Sequence, residues 1–435
     1  MLNETFEVVD FKGIKEQLLI WASQFSSCSF LDNNHYPSPW EQQECLVAAG
    51  MKSMFQAAPG TALEDLQLYL DSNSGRWIFG HICYDLKNEI ENLPVTPPGK
   101  TGFETVCFYV PETIVQLSAG KATIYVLNGD PAAIWEQVTS TPVNSLEPEV
   151  HVNLQSRITR HHYLDTIEKI KEHIHRGDCY ELNFCQEFFA ENAPVDPVRL
   201  FRELNRFSPN PFSCYHKIND SHLVCASPER YLARKGNKLF SQPIKGTASR
   251  NLDDAADDAL KLQELQTNQK ERSENVMVVD LVRNDLSRIC LEGTVKVDEL
   301  FKIYSYPQVH QMVSTISGLI PEETPFTEII RSTFPMGSMT GAPKKRVMEL
   351  IAAYETGNRG LFSGTVGYIS PSGDFDFNVV IRSLLFNAKT NYLSCWVGGG
   401  ITWYSNGLAE YEECMLKAMA IKKVLQPAAP NISSP

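Results

Sequence analysis

Two pairs of glutamates have the residue type and spacing to bind a cation. They are Glu271/Glu274 and Glu410/Glu413, and in each pair the two residues are three positions apart. Residues three apart on a helix lie on one face, so each pair would present two carboxylates to the same side. Mg²⁺, which takes oxygen ligands, would offset the repulsion between them. The alternative is that each pair lies on a solvated helix face.

Lys245 and Glu229 are candidates for a nucleophile and an acid. Lys245 stands in the segment Pro-Ile-Lys-Gly-Thr, and Glu229 stands in Ser-Pro-Glu-Arg. A lysine in this setting acts as a nucleophile if burial or a neighbouring cation lowers its pKa. Glu229 acts as a general acid if a nonpolar wall raises its pKa. The alternatives are an exposed lysine in a turn and a surface glutamate paired with Arg230.

Three further features indicate that the ligand is a small anion. The glycine-rich residues 336–344 bring hydroxyls and backbone N–H groups to the start of a predicted helix, which suits a carboxylate or a phosphate. They lack the P-loop spacing, and so do residues 398–400, so nucleotide binding is not indicated. Arg382 lies in an apolar run and needs a protein acid or a bound carboxylate as its partner. The residues alone therefore indicate a Mg²⁺-dependent enzyme with a small anionic substrate.

Composition excludes several classes of protein. The chain has 435 residues, of which 43% are hydrophobic and 21% are charged, and no run of residues is apolar enough to span a membrane. The net charge of −13 argues against nucleic-acid binding, which requires clustered lysine and arginine. Eleven scattered cysteines without close pairs indicate reduced thiols. Because no secretory signal is evident either, we expect a cytoplasmic location.

The order of predicted elements indicates the α+β class. Strand patterns and helix patterns come in blocks rather than in strict alternation, which favours a mixed or largely antiparallel sheet packed with helices. One long helical stretch is predicted over about 254–288, and a closing helix over about 408–425. Residues 139–154 are rich in Pro, Ser, Thr and Asn, and we expect a connection between two regions there.

Five motifs in this order resemble those of the chorismate-utilising enzymes, which include anthranilate, aminodeoxychorismate, isochorismate and salicylate synthases. The matching segments are Gly-Asp-Cys-Tyr at 177–180, Ser-Pro-Glu-Arg at 227–230, Asp-Leu-Val-Arg-Asn-Asp-Leu at 280–286, Gly-Ala-Pro-Lys at 341–344 and Ala-Glu-Tyr-Glu-Glu at 409–413. The resemblance implies large mixed or antiparallel sheets packed face to face and flanked by helices. It also implies an N-terminal β-rich region, 1–150, like that of anthranilate synthase component I, and a chorismate-binding catalytic region, 155–426.

The residue at position 245 divides the activities of this family. Anthranilate synthases carry a small residue there, whereas aminodeoxychorismate synthases carry lysine, as this chain does. The resemblance therefore implies amination of chorismate at C4, which leads to p-aminobenzoate and folate. Lys245 would attack C2 while Glu229 helps the C4 hydroxyl to leave, and ammonia would then add at C4 and expel the lysine.

The resemblance also assigns binding roles to individual residues. Glu274 and Glu413 would be direct ligands of Mg²⁺, with Glu271 and Glu410 acting through water, and the ion would hold the ring carboxylate of chorismate. The residues assigned to the substrate itself are Ser338, Arg382, Gly398, Gly400 and Thr247. Arg382 and the two glycines would contact the enolpyruvyl group, and Ser338 would face it.

Three positions depart from the family pattern. Gln311 replaces a common histidine near the leaving hydroxyl, although its amide can still donate a hydrogen bond. Glu181 stands where amino-transferring members usually carry Gln and water-adding members carry Lys, so isochorismate synthesis is disfavoured. Leu31-Asp32-Asn33 replaces the serine-ending motif of the tryptophan site, and feedback inhibition by tryptophan is not predicted.

The source of the amine is expected on another chain. The sequence has no glycine-flanked cysteine followed by a His-x-Glu dyad, so a separate glutamine amidotransferase subunit should supply ammonia. Two alternatives remain open beside C4 amination. One is an anthranilate synthase component I, which Lys245 disfavours. The other is a non-catalytic chorismate-binding subunit, which Gln311 and Glu181 would explain.

Overall fold

The computed structural model describes residues 1–36, 44–57, 60–94, 99–118, 120–143, 152–306 and 309–425. The strands are β1 Leu2–Glu7, β2 Ser27–Asp32, β3 Cys45–Ala49, β4 Ser53–Gln56, β5 Ile78–Ile82, β6 Val106–Val110, β7 Thr113–Ser118, β8 Lys121–Val126, β9 Gln155–Ser156, β10 Glu181–Ala190, β11 Phe212–Ile218, β12 Ser221–Ser227, β13 Arg230–Lys235, β14 Lys238–Gln242, β15 Ile244–Ser249, β16 Lys296–Ser305, β17 Val309–Leu319, β18 Gly341–Ala342, β19 Thr365–Ile369, β20 Phe375–Asn378, β21 Ser383–Asn387 and β22 Tyr392–Ile401. The helices are α1 Phe11–Ser23, α2 Ala62–Ser72, α3 Lys87–Ile90, α4 Pro131–Ser140, α5 Arg160–His175, α6 Pro197–Phe207, α7 Ala255–Thr267, α8 Gln269–Ser287, α9 Phe326–Thr333, α10 Lys344–Tyr354 and α11 Gly407–Lys422, with short 3₁₀ turns at Tyr84–Leu86, Gly337–Met339 and Lys423–Leu425.

The strands form two large sheets. Within the described residues, the first sheet has twelve strands in the order β1-β8-β7-β3-β2-β11-β12-β21-β22-β10-β18, with β9 beside β10. The second has ten strands in the order β15-β17-β14-β13-β20-β19-β5-β6-β4, with β16 beside β17. The neighbouring strands described here pair antiparallel. The site residues come from the edge of the first sheet at β10 and β22 and from the β15 end of the second.

Apolar side chains fill the layer between the sheets and the layers beneath the helices. Leu46 of the first sheet and Phe79 of the second belong to one buried cluster, so the two sheets face each other. The other face of the first sheet packs against α1, α5, α6, α10 and α11, and a third cluster joins α2, α8 and α9 to the second sheet. The predicted α+β fold, with sheets packed face to face and flanked by helices, is confirmed.

The structure divides one predicted element. The stretch predicted as one helix over about 254–288 is two helices, α7 and α8, that meet at Asn268. The backbone of Asn268 is extended, with φ −63° and ψ 114°, and its side chain accepts a hydrogen bond from Glu271 N at 3.1 Å. Asn268 thus ends one helix and caps the next, a role that suits its side chain. The turn sets the direction of α8, which carries Glu271 and Glu274.

The predicted division of the chain falls partly on residues 144–151, which lie outside the described residues. Strands from both sides of it share each sheet, since β2 pairs with β11 and β5 pairs with β19. The two-region division stays a prediction. In the part of the chain that the structure describes, no helix is both long and apolar enough to cross a membrane.

Candidate active site

A bulge in β15 directs Lys245 into the site. The pairing of β15 with β17 shifts register between Ile244 and Thr247, so two residues, Lys245 and Gly246, are accommodated at one step of the ladder. Gly246 has φ +87°, which only glycine adopts without strain. A Cβ there would stand 3.1 Å from Glu271 Oε2, so the glycine also lets the strand approach α8.

Lys245 is held by carboxylates. Its Nζ donates a hydrogen bond to Glu181 Oε1 at 2.8 Å and lies 3.9 Å from Glu274 Oε2. The side chains of Lys245 and Glu181 are only 13% and 5% exposed. A Cβ on Gly400 would collide with Glu181 Oε1 and stand 3.0 Å from Lys245 Nζ, so the glycine of β22 makes room for this pair.

A lowered pKa, one condition under which Lys245 would act as a nucleophile, is not met in this structure. Burial does lower the pKa, but the negative charges of Glu181, Glu274 and Glu229 outweigh burial and raise the pKa above its ordinary value. Lys245 is therefore an ammonium held among acids. The sequence could not reveal this, because those three acids lie far from Lys245 along the chain.

Glu229 has the properties expected of a general acid. It lies between β12 and β13, is 4% exposed, and burial raises its pKa to about 7. The Ser338 hydroxyl, the charges of Lys245 and Arg382 and the backbone of Ile244 lower the pKa in part, so these groups surround the carboxyl. A carboxyl with a pKa near 7 can hold a proton and give it up at neutral pH.

Several buried polar groups at the site have no protein partner. The guanidinium of Arg382, a residue whose φ is +50°, makes no hydrogen bond or ion pair with the described residues, and burial lowers its pKa despite the charge of Glu229. Ser338 Oγ, Glu181 Oε2 and both amide atoms of Gln311 are buried and also lack a hydrogen-bond partner among the described residues. Because an unpaired buried polar group costs about 1–3 kcal/mol, such a concentration indicates a place for a polar ligand.

The four glutamates lie on two helices beside Lys245. Glu271 and Glu274 are on α8, and Glu410 and Glu413 are on α11. Burial raises the pKa of Glu274 to about 7 although Lys245 opposes it, so this carboxylate lacks full charge compensation. The oxygen donors suit Mg²⁺, but among the described residues no three His, Cys, Asp or Glu side chains are close enough to hold a metal ion. The donor chemistry fits the ion, and binding requires the side chains to converge.

Two lysines that the sequence analysis missed separate these carboxylates. Lys270 Nζ lies 3.8 Å from both Glu274 Oε1 and Glu410 Oε1. Lys417 Nζ lies 2.8 Å from Glu413 Oε1. Burial raises the pKa of Glu413, but Lys417 reverses the effect and the pKa is lowered. The sequence could have predicted these ion pairs, because each lysine is four residues from its glutamate on a helix.

The sequence of this chain matches a known protein family. A family model described as "chorismate binding enzyme" matches residues 34–423. The chain belongs to this family. Aminodeoxychorismate synthase component 1 of Salmonella typhimurium strain LT2 is 34% identical to this chorismate-binding enzyme over 350 residues, which are 80% of this chain and 76% of the relative.

Further similar proteins agree with this assignment. Aminodeoxychorismate synthase component 1 of Bacillus subtilis strain 168 is 34% identical over 362 residues, again 80% of this chain and 76% of the relative. The crystal structure of anthranilate synthase component I from Streptococcus pneumoniae superposes with a TM-score of 0.77 at 23% identity and covers 89% of this chain and 93% of that one. At that identity the superposition supports the fold alone.

We call the group formed by Lys245, Glu181, Glu229, Gln311, Ser338, Arg382 and Gly400 the Lys245 cluster. Two residues assigned to the substrate lie apart from this cluster. Gly398 is opposite Cys185 in the β10–β22 ladder, and a Cβ there would collide with the backbone of Phe184, so close strand packing explains this glycine. Thr247 is exposed and opposite Gln311 in the β15–β17 ladder. The structure brings together Lys245, Glu229, Ser338, Arg382 and Gly400, and leaves the roles of Gly398 and Thr247 as predictions.

The segment Leu31-Asp32-Asn33 of this chorismate-binding enzyme lies elsewhere. It lines a cavity of about 70 Å³ between the sheets, together with Phe212, Tyr368 and other residues. Asp32 is only 5% exposed and pairs with Lys15 at 2.8 Å, so its charge is already compensated. The cavity is separate from the Lys245 cluster. The absence of tryptophan regulation stays a prediction.

Proposed function

We propose that this enzyme aminates chorismate at C4 with ammonia to give 4-amino-4-deoxychorismate, as component 1 of an aminodeoxychorismate synthase. The observation that carries the proposal is that Lys245, the residue that distinguishes this activity within the family, is buried beside the acid Glu229. The similar proteins named aminodeoxychorismate synthase component 1 support the same activity.

The reaction uses the lysine and the acid in turn. Lys245, an ammonium in the free protein, first gives one proton to a neighbouring carboxylate. Its neutral Nζ then forms a bond to C2 of chorismate, the ring double bond shifts, and the C4–O bond breaks. Glu229 gives its proton to the departing hydroxyl, which leaves as water. Ammonia then bonds to C4 while the double bond shifts back, the C2–N bond breaks, and Lys245 leaves as an amine that takes its proton back from the carboxylate. The ammonium group formed at C4 returns a proton to Glu229. The sum is chorismate and ammonia to aminodeoxychorismate and water.

The unpaired polar groups are placed to bind this substrate. Chorismate carries two carboxylates, and Arg382 offers an uncompensated guanidinium for one of them. Ser338 Oγ and the Gln311 amide supply further hydrogen-bonding groups in a buried setting. We propose that chorismate satisfies these groups, which explains why they are left without protein partners.

We also propose that the enzyme depends on Mg²⁺. Glu274 and Glu413 would hold the ion with Glu271 and Glu410 behind them, and the bound ion would supply positive charge for the ring carboxylate of chorismate. Replacing Glu274 by Gln is expected to raise the Mg²⁺ concentration needed for half-maximal activity at least tenfold in a metal titration. An unaltered requirement would remove these residues from the proposal.

We propose that the ammonia for this site comes from a second component. The words "component 1" in the names of the similar proteins imply a second component. We propose that a separate glutamine amidotransferase subunit delivers the ammonia and that ammonium salts replace this subunit at high concentration. The enzyme should therefore turn over slowly by itself when ammonium is supplied.

The proposal is tested with the purified chain, chorismate, Mg²⁺ and ammonium, with an aminodeoxychorismate lyase added to half of each sample. We expect p-aminobenzoate only with the lyase. Lys245→Ala should lower this product by roughly 10³-fold or more, as for other enzymes that lose a nucleophile. Lys261→Ala, which replaces a half-buried lysine of α7 that pairs with Asp257, is the matched control. Anthranilate made without the lyase would refute C4 amination, and full turnover by Lys245→Ala would refute the covalent step.

A further inference from the structure

Glu181 is a buried acid whose role the proposed reaction does not explain. It is the first residue of β10, where its backbone pairs with Ala342 of β18, and it is 4% exposed. A Cβ on Gly341 would collide with Glu181 O, so the backbone of β18 packs directly against that of Glu181. The position of this side chain is therefore fixed from two sides by the sheet.

The two oxygens of Glu181 have different surroundings. Oε1 accepts the hydrogen bond from Lys245 Nζ at 2.8 Å, whereas Oε2 is buried and has no partner among the described residues. The carboxylate is thus held by Lys245 alone. Because a buried unpaired carboxylate is costly, this contact is strongly favoured in the folded protein.

Lys245 in turn depends on Glu181 for its position. Among the described residues, Glu181 is the one hydrogen-bond acceptor of Nζ, because Glu274 is 3.9 Å away and Glu229 acts only through its charge. A lysine side chain has four flexible bonds and little preference of its own for one position. Without Glu181, the remaining acids would draw Nζ toward α8.

We propose that Glu181 is the positioning residue for the nucleophile: it holds Lys245 Nζ beside Gly400 and away from the glutamates of α8. This inference rests on the proposed role of Lys245. The positioning needs a hydrogen-bond acceptor at the place of Oε1 and does not need the charge of Glu181. A glutamine retains such an acceptor in its amide oxygen.

The test compares Glu181→Gln with Glu181→Leu, and adds Glu187→Gln as a control. Glu187 is another buried acid of β10. It lies away from the site and pairs with Arg157, with 2.8 Å between Glu187 Oε2 and Arg157 Nη2. We expect kcat with ammonium to fall less than tenfold in Glu181→Gln and about 100-fold or more in Glu181→Leu, because a small misplacement of a reacting group costs that much. The KM for chorismate should change less than threefold in both. Glu187→Gln should leave both constants unchanged.

A second variant disturbs the contact without altering either partner. In Gly400→Ala the added methyl group would displace the Glu181 carboxylate, and kcat should again fall about 100-fold. This variant answers the question if Glu181→Leu fails to fold, as judged by circular dichroism. Wild-type kcat in a folded Glu181→Leu or in Gly400→Ala would overturn the inference.

The outcomes separate this inference from the proposed function. If Lys245→Ala is inactive and Glu181→Leu retains wild-type kcat, the nucleophile stands and the positioning role is wrong. If Lys245→Ala is fully active, the covalent mechanism itself is wrong. A loss of kcat in Glu181→Gln as large as in Glu181→Leu would show that the charge matters, which overturns the hydrogen-bond role.

Discussion

Two regions of this protein, both rich in buried polar groups, differ in whether those groups are paired. One region is the Lys245 cluster, and the other is a chain of hydrogen bonds that crosses the gap between the two sheets. In that chain Tyr109 and His216 Nδ1 each lie 2.8 Å from Ser29 Oγ, His216 Nε2 lies 3.0 Å from His81 Nδ1, and His81 Nε2 lies 3.0 Å from Glu104 O. We call these residues the histidine chain.

In each hydrogen bond of the histidine chain, the donor and the acceptor can be assigned. Burial lowers the pKa of both histidines, so the rings are neutral. Glu104 O can only accept, so His81 Nε2 donates and His81 Nδ1 accepts from His216 Nε2. His216 Nδ1 then accepts from Ser29, whose oxygen accepts from Tyr109. Every polar side-chain atom named in the histidine chain therefore has a partner.

The Lys245 cluster lacks this completeness. The side-chain polar atoms of Gln311, Ser338 and Arg382 and Oε2 of Glu181 have no hydrogen-bond partner among the described residues. The difference indicates two roles for buried polar groups. A network in which every group is hydrogen-bonded stabilises the fold, whereas groups without partners remain able to hydrogen-bond a ligand. Substitutions in the two regions should accordingly affect different measurements.

The largest effect is expected at Glu229, on the reaction rate. Glu229→Gln removes the proton that the leaving hydroxyl needs, and kcat should fall about 10²- to 10⁴-fold with little change in melting temperature. In the wild type, activity that depends on protonated Glu229 should decline as pH rises above its pKa of about 7. A steady-state pH profile checks both results. A variant with unchanged kcat would place the acid elsewhere.

Arg382 should affect substrate binding. Arg382→Met removes an uncompensated guanidinium, and the KM for chorismate should rise roughly 10- to 100-fold, the equivalent of one charge-assisted hydrogen bond. Initial-rate kinetics measure this change. The melting temperature should not fall, because Arg382 forms no protein ion pair with the described residues. A loss of stability with unchanged KM would make Arg382 a structural residue and weaken the comparison.

His216 should give the opposite result. His216→Ala removes the acceptor of the Ser29 hydroxyl and the donor to His81 Nδ1, so the free energy of unfolding should fall by about 1–3 kcal/mol while kcat and KM stay within twofold. Denaturant unfolding monitored by circular dichroism provides the number. His35→Ala, which removes an exposed histidine, is the matched control. A kinetic defect in His216→Ala would contradict the distinction between the regions.

The last effect, of which only a part develops between pH 7 and 5, is a dependence of stability on pH. The pKa of His81 is lowered from 6.5 to about 4 by burial, so the unfolded chain binds protons first as pH falls. The contribution of neutral His81 to the free energy of unfolding is complete above pH 6.5 and is lost as pH falls toward 4. Its maximum is roughly 3 kcal/mol. The free energy of unfolding should be measured for the wild type and for His81→Gln between pH 7 and 5. It should change less with pH in the variant. Equal slopes would refute the buried neutral state.

Local patterns predicted much of the fold and of the site. Helical spacing placed the glutamate pairs on helices. For Glu229 the sequence left two alternatives, a surface glutamate and an acid with a raised pKa, and burial does raise its pKa. The raised pKa of Lys245 could not be predicted, because it arises from Glu181, Glu229 and Glu274, which only the fold brings together. The break at Asn268 was missed because an asparagine cap competes with a continuing helical pattern.

The histidine chain was also beyond prediction. His81 and His216 stand on β5 and β11, which belong to different sheets, and nothing near either residue in the sequence indicates the other. Pairing between distant strands leaves no periodic trace. The Lys245 cluster was accessible because the resemblance to a family supplied the long-range information that single motifs lack.

The sharing of strands between early and late parts of the chain has a consequence for synthesis. Ile82 in β5 pairs with Thr365 in β19, and Ser29 in β2 pairs with His216 in β11. On the ribosome, the edges of β2 and β5 must therefore remain open until their partners emerge. Open strand edges are sites of aggregation, and N-terminal domains that fold early avoid that exposure. This enzyme lacks that protection, because one edge of β5 stays unpaired until residues 365–369 have been synthesised.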